Sequence, residues 1–160
     1  AQDYDERTPL HGCTWRNYSA SGLGETCYAA KLDPYIKNMQ IWRCPSEPDR
    51  GPSIGGSSNG YGWNLNYMGG RSGIPIANIK MPAETIWIAD ANAGYIPAPN
   101  CATASWGSSV TTPLCSPNAP QRILERHNGG ANFVWADGHV KWMKVDGKVL
   151  KTNYYWLADK

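Results

Sequence analysis

The sequence predicts an α+β fold in which short N-terminal helices pack on an antiparallel β-meander with long connecting loops. Short runs of β-branched and aromatic residues, bounded by Gly, Pro and Asp-Gly pairs, indicate strands and tight turns. The 17 Gly and 12 Pro among 160 residues are typical of a chain rich in turns. A chain of this length suits one domain, so residues 1–160 are interpreted as a single globular unit.

The helical part is predicted in the first third of the chain. Residues 28–32 form a candidate short helix. Asp33 then has the character of an N-cap residue, with Pro34 at the first helical position of a turn that runs through Asn38.

Strand candidates follow in the middle of the chain. Residues 40–44 are interpreted as a short strand or a helix end, and residues 61–67 alternate weakly, as an edge strand does. Residues 85–90 are β-branched and apolar, which predicts the central strand of the sheet. The proline-rich residues 91–120 are expected to form a long loop.

A hairpin is predicted within the C-terminal region 126–151. Residues 132–136 and 139–143 flank the pair Asp137-Gly138, which favours a two-residue type I′ turn. That register places four apolar side chains on one face, namely Phe133, Trp135, Val140 and Trp142. A second Asp-Gly pair predicts a third strand over residues 148–151.

The five cysteines include no C-x-x-C pair, which disfavours a zinc ribbon or a thioredoxin-type site. Cys13 and Cys27 lie 14 residues apart, as do Cys101 and Cys115, and each pair brackets a polar loop. We expect a disulfide across each loop, worth about 3 kcal/mol in the chain-entropy model. Cys44 is then either buried and free, a candidate intersubunit thiol, or the partner of a cysteine in the first pair. This pattern favours an extracellular location, with buried reduced thiols as the alternative.

Composition and charge exclude several functional classes. The net charge is +2, and no cluster of Lys and Arg is long enough for a nucleic-acid interface. No apolar run is long enough to cross a bilayer, and the polar N-terminus does not have the pattern of a signal peptide. The hydrophobic share of 41% argues against disorder.

A family resemblance emerges from the C-terminal region. His127 is followed by nine residues and then by Asp137-Gly138. This stretch resembles the H-X9-DG motif of bacterial type II secretion pseudopilin-like proteins, which also carry a prepilin-type cleavage segment. Other segments resemble the family in the same order, namely residues 1–6, 32–38, 43–46, 61–64 and 79–90.

The resemblance implies a pseudopilin-like globular head with loops pinned by disulfides. It also implies a structural subunit of an extracellular filament, tube or pseudopilus. The family has a hydrophobic N-terminal helix, and this sequence starts where that helix would end. We therefore expect either that the helix was removed or that the mature protein is a secreted globule. In the second case the polymer is held by contacts between copies of the globular domain, without a membrane in this form.

No catalytic residues are predicted, although His127 and Asp137 suggest a catalytic pair at first sight. Asp137 occupies a turn position that Asp favours. His127 precedes a Gly-rich loop, and the N–H of its imidazole ring can donate to the backbone carbonyls of that loop. No Ser, Cys or Lys lies in a recognisable nucleophile motif. The expected role of His127, Asp137 and Gly138 is therefore structural.

Calcium is the ligand that the resemblance suggests, because major pseudopilins of type II secretion systems bind it in a C-terminal loop. Suitable oxygen donors are Asp90, Asn92 and Asp137, with Asp3 and Asp5 as further candidates. No EF-hand spacing occurs in the chain.

The alternative function is a secreted carbohydrate-binding module with an aromatic platform, for which a glycan is the partner. The chain has eight Trp and nine Tyr but one Phe. Flat aromatic side chains of this kind stack on sugars. The candidate platform residues are Trp15, Trp63, Trp87, Trp106 and Trp156, while Trp135 and Trp142 are assigned to the core.

Overall fold

The computed structural model describes part of the chain, and all structural statements concern that part. The described residues are 6–8, 34–42, 44–46, 60–64, 73–91, 95–96, 123–145 and 155–156. Within these ranges no helix is both long and apolar enough to cross a membrane.

The described residues form one five-stranded sheet with the spatial order β3-β1-β2-β4-β5. The strands are β1 (Tyr61–Asn64), β2 (Ile86–Asp90), β3 (Tyr95–Ile96), β4 (Gly130–Trp135) and β5 (Val140–Lys144). The pairs β1–β2, β2–β4 and β4–β5 are antiparallel, whereas the short β3 is parallel to β1. The four antiparallel strands therefore follow one another across the sheet as in a meander.

Helical structure in the described ranges is short. Residues 34–36 are α-helical, and 3-10 turns occur at Met39–Trp42, Ile76–Asn78 and Pro82–Glu84. Of the two alternatives for residues 40–44, the helix end is therefore the observed one. An antiparallel sheet with a few short helices is compatible with the predicted α+β class.

The central strand is found where the sequence predicts it, since β2 lies between β1 and β4. The prediction of an edge strand over residues 61–67 is wrong, because β1 lies between β3 and β2. Asn64 at the end of β1 is fully buried. Its Nδ2 donates to the Ile86 carbonyl at 2.8 Å and to the Trp156 carbonyl at 3.0 Å, which ties β1 to β2 and to the C-terminal segment.

The turn between β4 and β5 differs from the predicted two-residue turn. Gly138 has a φ of 96°, but Asp137 is not left-handed, as a type I′ turn would require. The N–H of Gly138 donates to the Trp135 carbonyl at 2.9 Å, and the N–H of Trp135 donates to the His139 carbonyl at 2.9 Å. These bonds define a three-residue loop, a type I turn followed by a bulge at the glycine.

The longer loop shifts the strand register by one residue. Val134, rather than Trp135, lies opposite Val140. Because a one-residue shift moves side chains to the other face, the predicted single apolar stripe is wrong. Phe133 and Trp135 are buried, whereas Val140 and Trp142 on the opposite face are 63% and 46% exposed. The assignment of Trp142 to the core is corrected accordingly.

A β-bulge in β2 brings its core residues into line. Ile86 pairs with Trp135 and Ala89 pairs with Phe133, with a register shift between them. Ile86 and Ala89 are three positions apart and would alternate faces in a regular strand. The extra residue of the bulge places both side chains on the sheet face that carries Phe133 and Trp135, where both are buried.

The hydrophobic core lies on this side of the sheet, and its members all come from the second half of the chain. Its members are Ile86, Ala89, Ala91, Ile96, Ile123, Ala131, Phe133, Trp135, Val145 and Trp156. The C-terminal segment is held to the sheet because the Tyr155 carbonyl accepts the N–H of Ile86 at 2.7 Å. The third strand predicted over residues 148–151 lies outside the described residues.

Candidate functional site

Three polar side chains from distant parts of the sequence meet at one end of the sheet. Cys44 Sγ lies 3.4 Å from His127 Nε2, and His127 Nε2 lies 3.4 Å from Asp90 Oδ2. The donor atoms of all three residues lie within 4.8 Å of one another. Cys44 and Asp90 are buried, and His127 is partly exposed.

His127 is positioned by a tight turn that leads into β4. Asn128 and Gly129 have φ values of 55° and 74°, which are typical of a type I′ turn. His127 and Gly130 exchange two backbone hydrogen bonds of 3.1 and 3.2 Å across this turn. The Trp142 indole N–H donates to the His127 carbonyl at 2.7 Å. The type I′ turn of this region is therefore formed by Asn128-Gly129 and not by Asp137-Gly138, and the Asn-Gly dipeptide is the sequence signal that indicates it.

Asp90 is the last residue of β2, and its side chain is held by the neighbouring strand. The backbone N–H of Asn132 in β4 donates to Asp90 Oδ2 at 2.6 Å. Oδ1 of the same carboxylate is buried and has no hydrogen-bond partner in the described part of the chain. Burial of a carboxylate costs free energy unless hydrogen bonds or positive charge compensate it. At Asp90 this compensation is incomplete, because only Oδ2 has a hydrogen-bond partner among the described residues.

Cys44 reaches the site from the segment that follows the 3-10 turn Met39–Trp42. Its side chain packs closely on the residue before β1: a Cβ at Gly60 would lie 2.5 Å from Cys44 Cβ and 2.7 Å from Arg126 Nη1. Gly60 has a φ of 88°, which a residue with a side chain rarely adopts. Gly60 thus allows the Cys44 segment and Arg126 to approach the end of the sheet.

Charges around the cluster perturb a tyrosine. Burial raises the pKa of Tyr61, which pairs with Asp90 across β1 and β2. Electrostatic interaction with Cys44 and Asp90 raises the pKa of Tyr61 further, whereas Arg126 lowers it. Arg126 also donates to the Ala91 carbonyl at 3.0 Å. Acidic and basic groups are therefore concentrated at this end of the sheet.

An open cleft of about 530 Å³ gives access to the cluster from solvent. It is lined by Arg126, His127, Asn128 and Trp142. His127 is the member of the three-residue cluster that borders the cleft, and its side chain is 27% exposed.

The arrangement does not match a Cys-His-Asp catalytic relay. Such a relay places the nucleophile and the carboxylate on different ring nitrogens of the histidine. Here Cys44 Sγ and Asp90 Oδ2 both face Nε2 of His127. The three groups instead direct a sulfur, a nitrogen and an oxygen atom to a common point.

The structure separates His127 from Asp137, which lie at opposite ends of β4. Asp137 is in the β4–β5 turn, where its Oδ1 lies 2.6 Å from His139 Nδ1. Of the calcium candidates, Asp90 and Asp137 are not brought together: Asp90 contacts Asn132 near the start of β4, whereas Asp137 lies beyond Trp135 at its end, after about 10 Å of strand. The other calcium candidates, Asn92, Asp3 and Asp5, lie outside the described residues.

Cys44 is free and 3% exposed. Within this chain Cys44 is therefore a buried free thiol, which is one of the alternatives that the sequence leaves open. Its pairing with a second chain stays a prediction and would require the Cys44 segment to open. The predicted disulfide cysteines Cys13, Cys27, Cys101 and Cys115 all lie outside the described residues.

The sequence did not identify the three-residue cluster, because no spacing rule relates residues so far apart in the chain. Cys44, Asp90 and His127 do each belong to a segment that carries the family resemblance. Only the strand order, with β2 next to β4, shows that these segments meet.

The turn aspartate provides a prediction for acid pH. The backbone N–H of His139 donates to Asp137 Oδ1 and lowers the pKa of this carboxyl below its ordinary value of 3.8, with the His139 side chain as a further cause. Because the folded pKa is the lower one, the stabilisation is complete above the unfolded pKa and is lost as the pH falls through the folded pKa.

We therefore expect acidification below pH 3.8 to remove a stabilising contribution that the variant Asp137→Asn never had. Thermal unfolding of both proteins at neutral and acid pH, with an NMR titration of the carboxyl, measures this. An Asp137 pKa at or above the ordinary value would contradict the prediction.

Comparison of the chain with protein-family models, with curated proteins and with solved structures finds no match in any of the three.

Proposed function

We propose that this chain is the globular head of a pseudopilin-like structural subunit. Copies of it assemble into an extracellular filament, tube or pseudopilus through contacts between globular domains. The observation that carries the proposal is the exposed apolar surface of β5. Val140 is 63% exposed and Trp142 is 46% exposed on the same strand.

The H-X9-DG motif supports a structural role rather than an enzymatic one. His127 begins the type I′ turn that leads into β4, and Asp137-Gly138 forms the turn that ends it. The nine residues between them thus span one turn and one strand of the sheet. In this interpretation the motif determines the length of β4 and the position of the hairpin.

The edge of the sheet supports self-assembly. In the part of the chain that is described, β5 pairs only with β4. A strand at an edge presents unpaired backbone groups that a further chain can add to. Lys141 and Lys144 are exposed on the same strand, and such lysines limit unspecific pairing at sheet edges. Val140 and Trp142 provide the apolar contact for a second copy. The expected disulfide-pinned loops would keep this head rigid.

We expect the variant Val140→Glu to weaken self-association by tenfold or more, because burial of a valine side chain is worth about 1.5–3 kcal/mol. The matched control is Ile41→Glu, which introduces the same charge at another exposed aliphatic residue, 47% accessible, in the 3-10 turn Met39–Trp42. Light scattering across a concentration series and electron microscopy measure the assemblies.

The proposal fails if the wild-type protein remains monomeric at high concentration. It also fails for β5 if both variants assemble equally well. Circular dichroism of the variants confirms that any loss of assembly is not a loss of folding.

A carbohydrate-binding module is the second candidate, and one observation favours it. The Trp142 ring borders the open cleft together with Arg126 and Asn128, an aromatic surface flanked by polar groups. Two of the platform candidates are unsuited to this role, since Trp63 and Trp156 are buried. Trp15 and Trp106 lie outside the described residues. Saturable quenching of tryptophan fluorescence by sugars in a monomeric sample would favour the module over the polymer subunit.

A further inference from the structure

We propose that Cys44, Asp90 and His127 bind a divalent transition-metal ion with the ligand preferences of zinc. This site is independent of self-assembly and would hold three segments of the head together. The ion would join the segment after the 3-10 turn, the end of β2 and the turn before β4.

Two of the three distances between the donor atoms match those of a tetrahedral zinc site, and the third lies within 4.8 Å. Zinc binds sulfur at about 2.3 Å and nitrogen or oxygen at about 2.0–2.2 Å, so neighbouring ligand atoms lie roughly 3.3–3.6 Å apart. The distance from Cys44 Sγ to His127 Nε2 is 3.4 Å, and that from His127 Nε2 to Asp90 Oδ2 is also 3.4 Å. All three donor atoms lie within 4.8 Å of one another, so small side-chain adjustments would suffice.

Hydrogen bonding alone accounts poorly for this arrangement. His127 Nε2 can carry one proton or one lone pair, but it faces both a sulfur and a carboxylate oxygen. Its distance of 3.4 Å to Asp90 Oδ2 exceeds the usual 2.7–3.2 Å of an N–H···O bond. A cation between the three atoms satisfies them together.

Asp90 is a second and independent indication of a bound cation. The residue is 1% exposed, and its Oδ1 has no hydrogen-bond partner within the described ranges. An ionised carboxylate so buried is costly unless positive charge compensates it. Arg126 places one positive charge in this region, where it lowers the pKa of Tyr61. Zinc binding would release the proton of the Cys44 thiol, and the divalent ion would balance the resulting thiolate and the Asp90 carboxylate.

The residues around the ligands hold them in place. The Asn132 N–H orients the carboxylate through its 2.6 Å bond to Asp90 Oδ2. The type I′ turn and the Trp142 indole fix the backbone of His127. The Asn132 bond to the carboxylate is an outer-partner contact of the kind that orients ligands in metal sites.

The donor set selects the class of metal. A thiolate and an imidazole favour zinc and similar transition metals, whereas calcium and magnesium prefer oxygen ligands. Three protein ligands leave a coordination position for water, which the cleft beside His127 can supply.

The test uses the full chain in metal-free buffer without reductant, so that the expected disulfides stay intact, and compares two histidine variants. We expect the wild-type protein to bind one equivalent of zinc chloride and to gain thermal stability, while calcium chloride has no effect. His127→Gln should lower zinc affinity more than about 100-fold, since even outer-partner changes cost 10–100-fold. His139→Gln, the same change at an exposed histidine in the β4–β5 turn, should leave the affinity unchanged. Isothermal titration calorimetry measures all three proteins.

Cobalt provides a direct readout of the sulfur ligand. The wild-type protein loaded with cobalt(II) should show a thiolate-to-metal absorption band that Cys44→Ser lacks. Equal zinc affinity in wild type and His127→Gln, or a cobalt complex without the thiolate band, would overturn the site.

If the variants do not fold, X-ray absorption of the zinc-loaded wild type decides the question. One sulfur with nitrogen and oxygen ligands is the expected shell. Two or more sulfurs would assign the metal to the other cysteines and would refute the proposal.

Discussion

Replacing Phe133 with alanine is expected to lower the free energy of unfolding by about 3–5 kcal/mol. Phe133 is fully buried in the middle of β4, opposite Ala89 of β2. Its ring belongs to the core cluster that also contains Trp135 and Trp156. The variant loses the transfer free energy of the ring and leaves a cavity that a cluster drawn from several strands cannot close.

The matched control is Val140→Ala on β5, because Val140 is exposed and its truncation should change the stability by less than about 0.5 kcal/mol. Urea unfolding followed by circular dichroism gives both values. A loss below about 1 kcal/mol for the Phe133 variant would show that this cluster is not the centre of the core. Since domains of this kind are marginally stable, the expected loss is a large part of the total.

The variant Gly60→Ala is expected to destabilise the protein by roughly 2–5 kcal/mol, for two separate reasons. Gly60 has a φ of 88°, so any side chain there strains the backbone. The added Cβ would also lie 2.5 Å from Cys44 Cβ and 2.7 Å from Arg126 Nη1. Either the Cys44 segment or the sheet must move to relieve the contact.

Gly129→Ala separates these two causes. Gly129 also has a positive φ, 74°, but a Cβ there meets nothing within 4 Å. This control should therefore cost only the backbone strain, about 1–3 kcal/mol, and less than Gly60→Ala. Thermal and urea unfolding of the two variants measure the difference. Equal losses would mean that the contact at Gly60 relaxes without cost.

The hairpin shows how far local sequence patterns reach. Asp137-Gly138 correctly indicates a turn between two strands, because this pair readily accommodates a reversal of the chain. The same pair suits a type I′ turn or a type I turn with a glycine bulge, and the two differ by one residue in register. That residue decides which side chains are buried, and the two-residue turn places Trp142 on the wrong face of the sheet.

The β2 strand shows where local and tertiary information agree. Its β-branched and apolar residues predict a central strand, and the sheet places it between β1 and β4. The bulge that aligns Ile86 with Ala89 has no comparable local signal. The bulge follows from the burial of both side chains on the sheet face that carries Phe133 and Trp135.

From the sequence alone came the antiparallel arrangement, the central strand and the turn at the end of β4, because each depends on neighbours in the chain. The meeting of Cys44, Asp90 and His127 depended on the tertiary structure. Residues distant in sequence become neighbours only when β2 and β4 pair and Gly60 lets the Cys44 segment approach. Strand order and close backbone contact are properties of the whole fold, which no local pattern specifies.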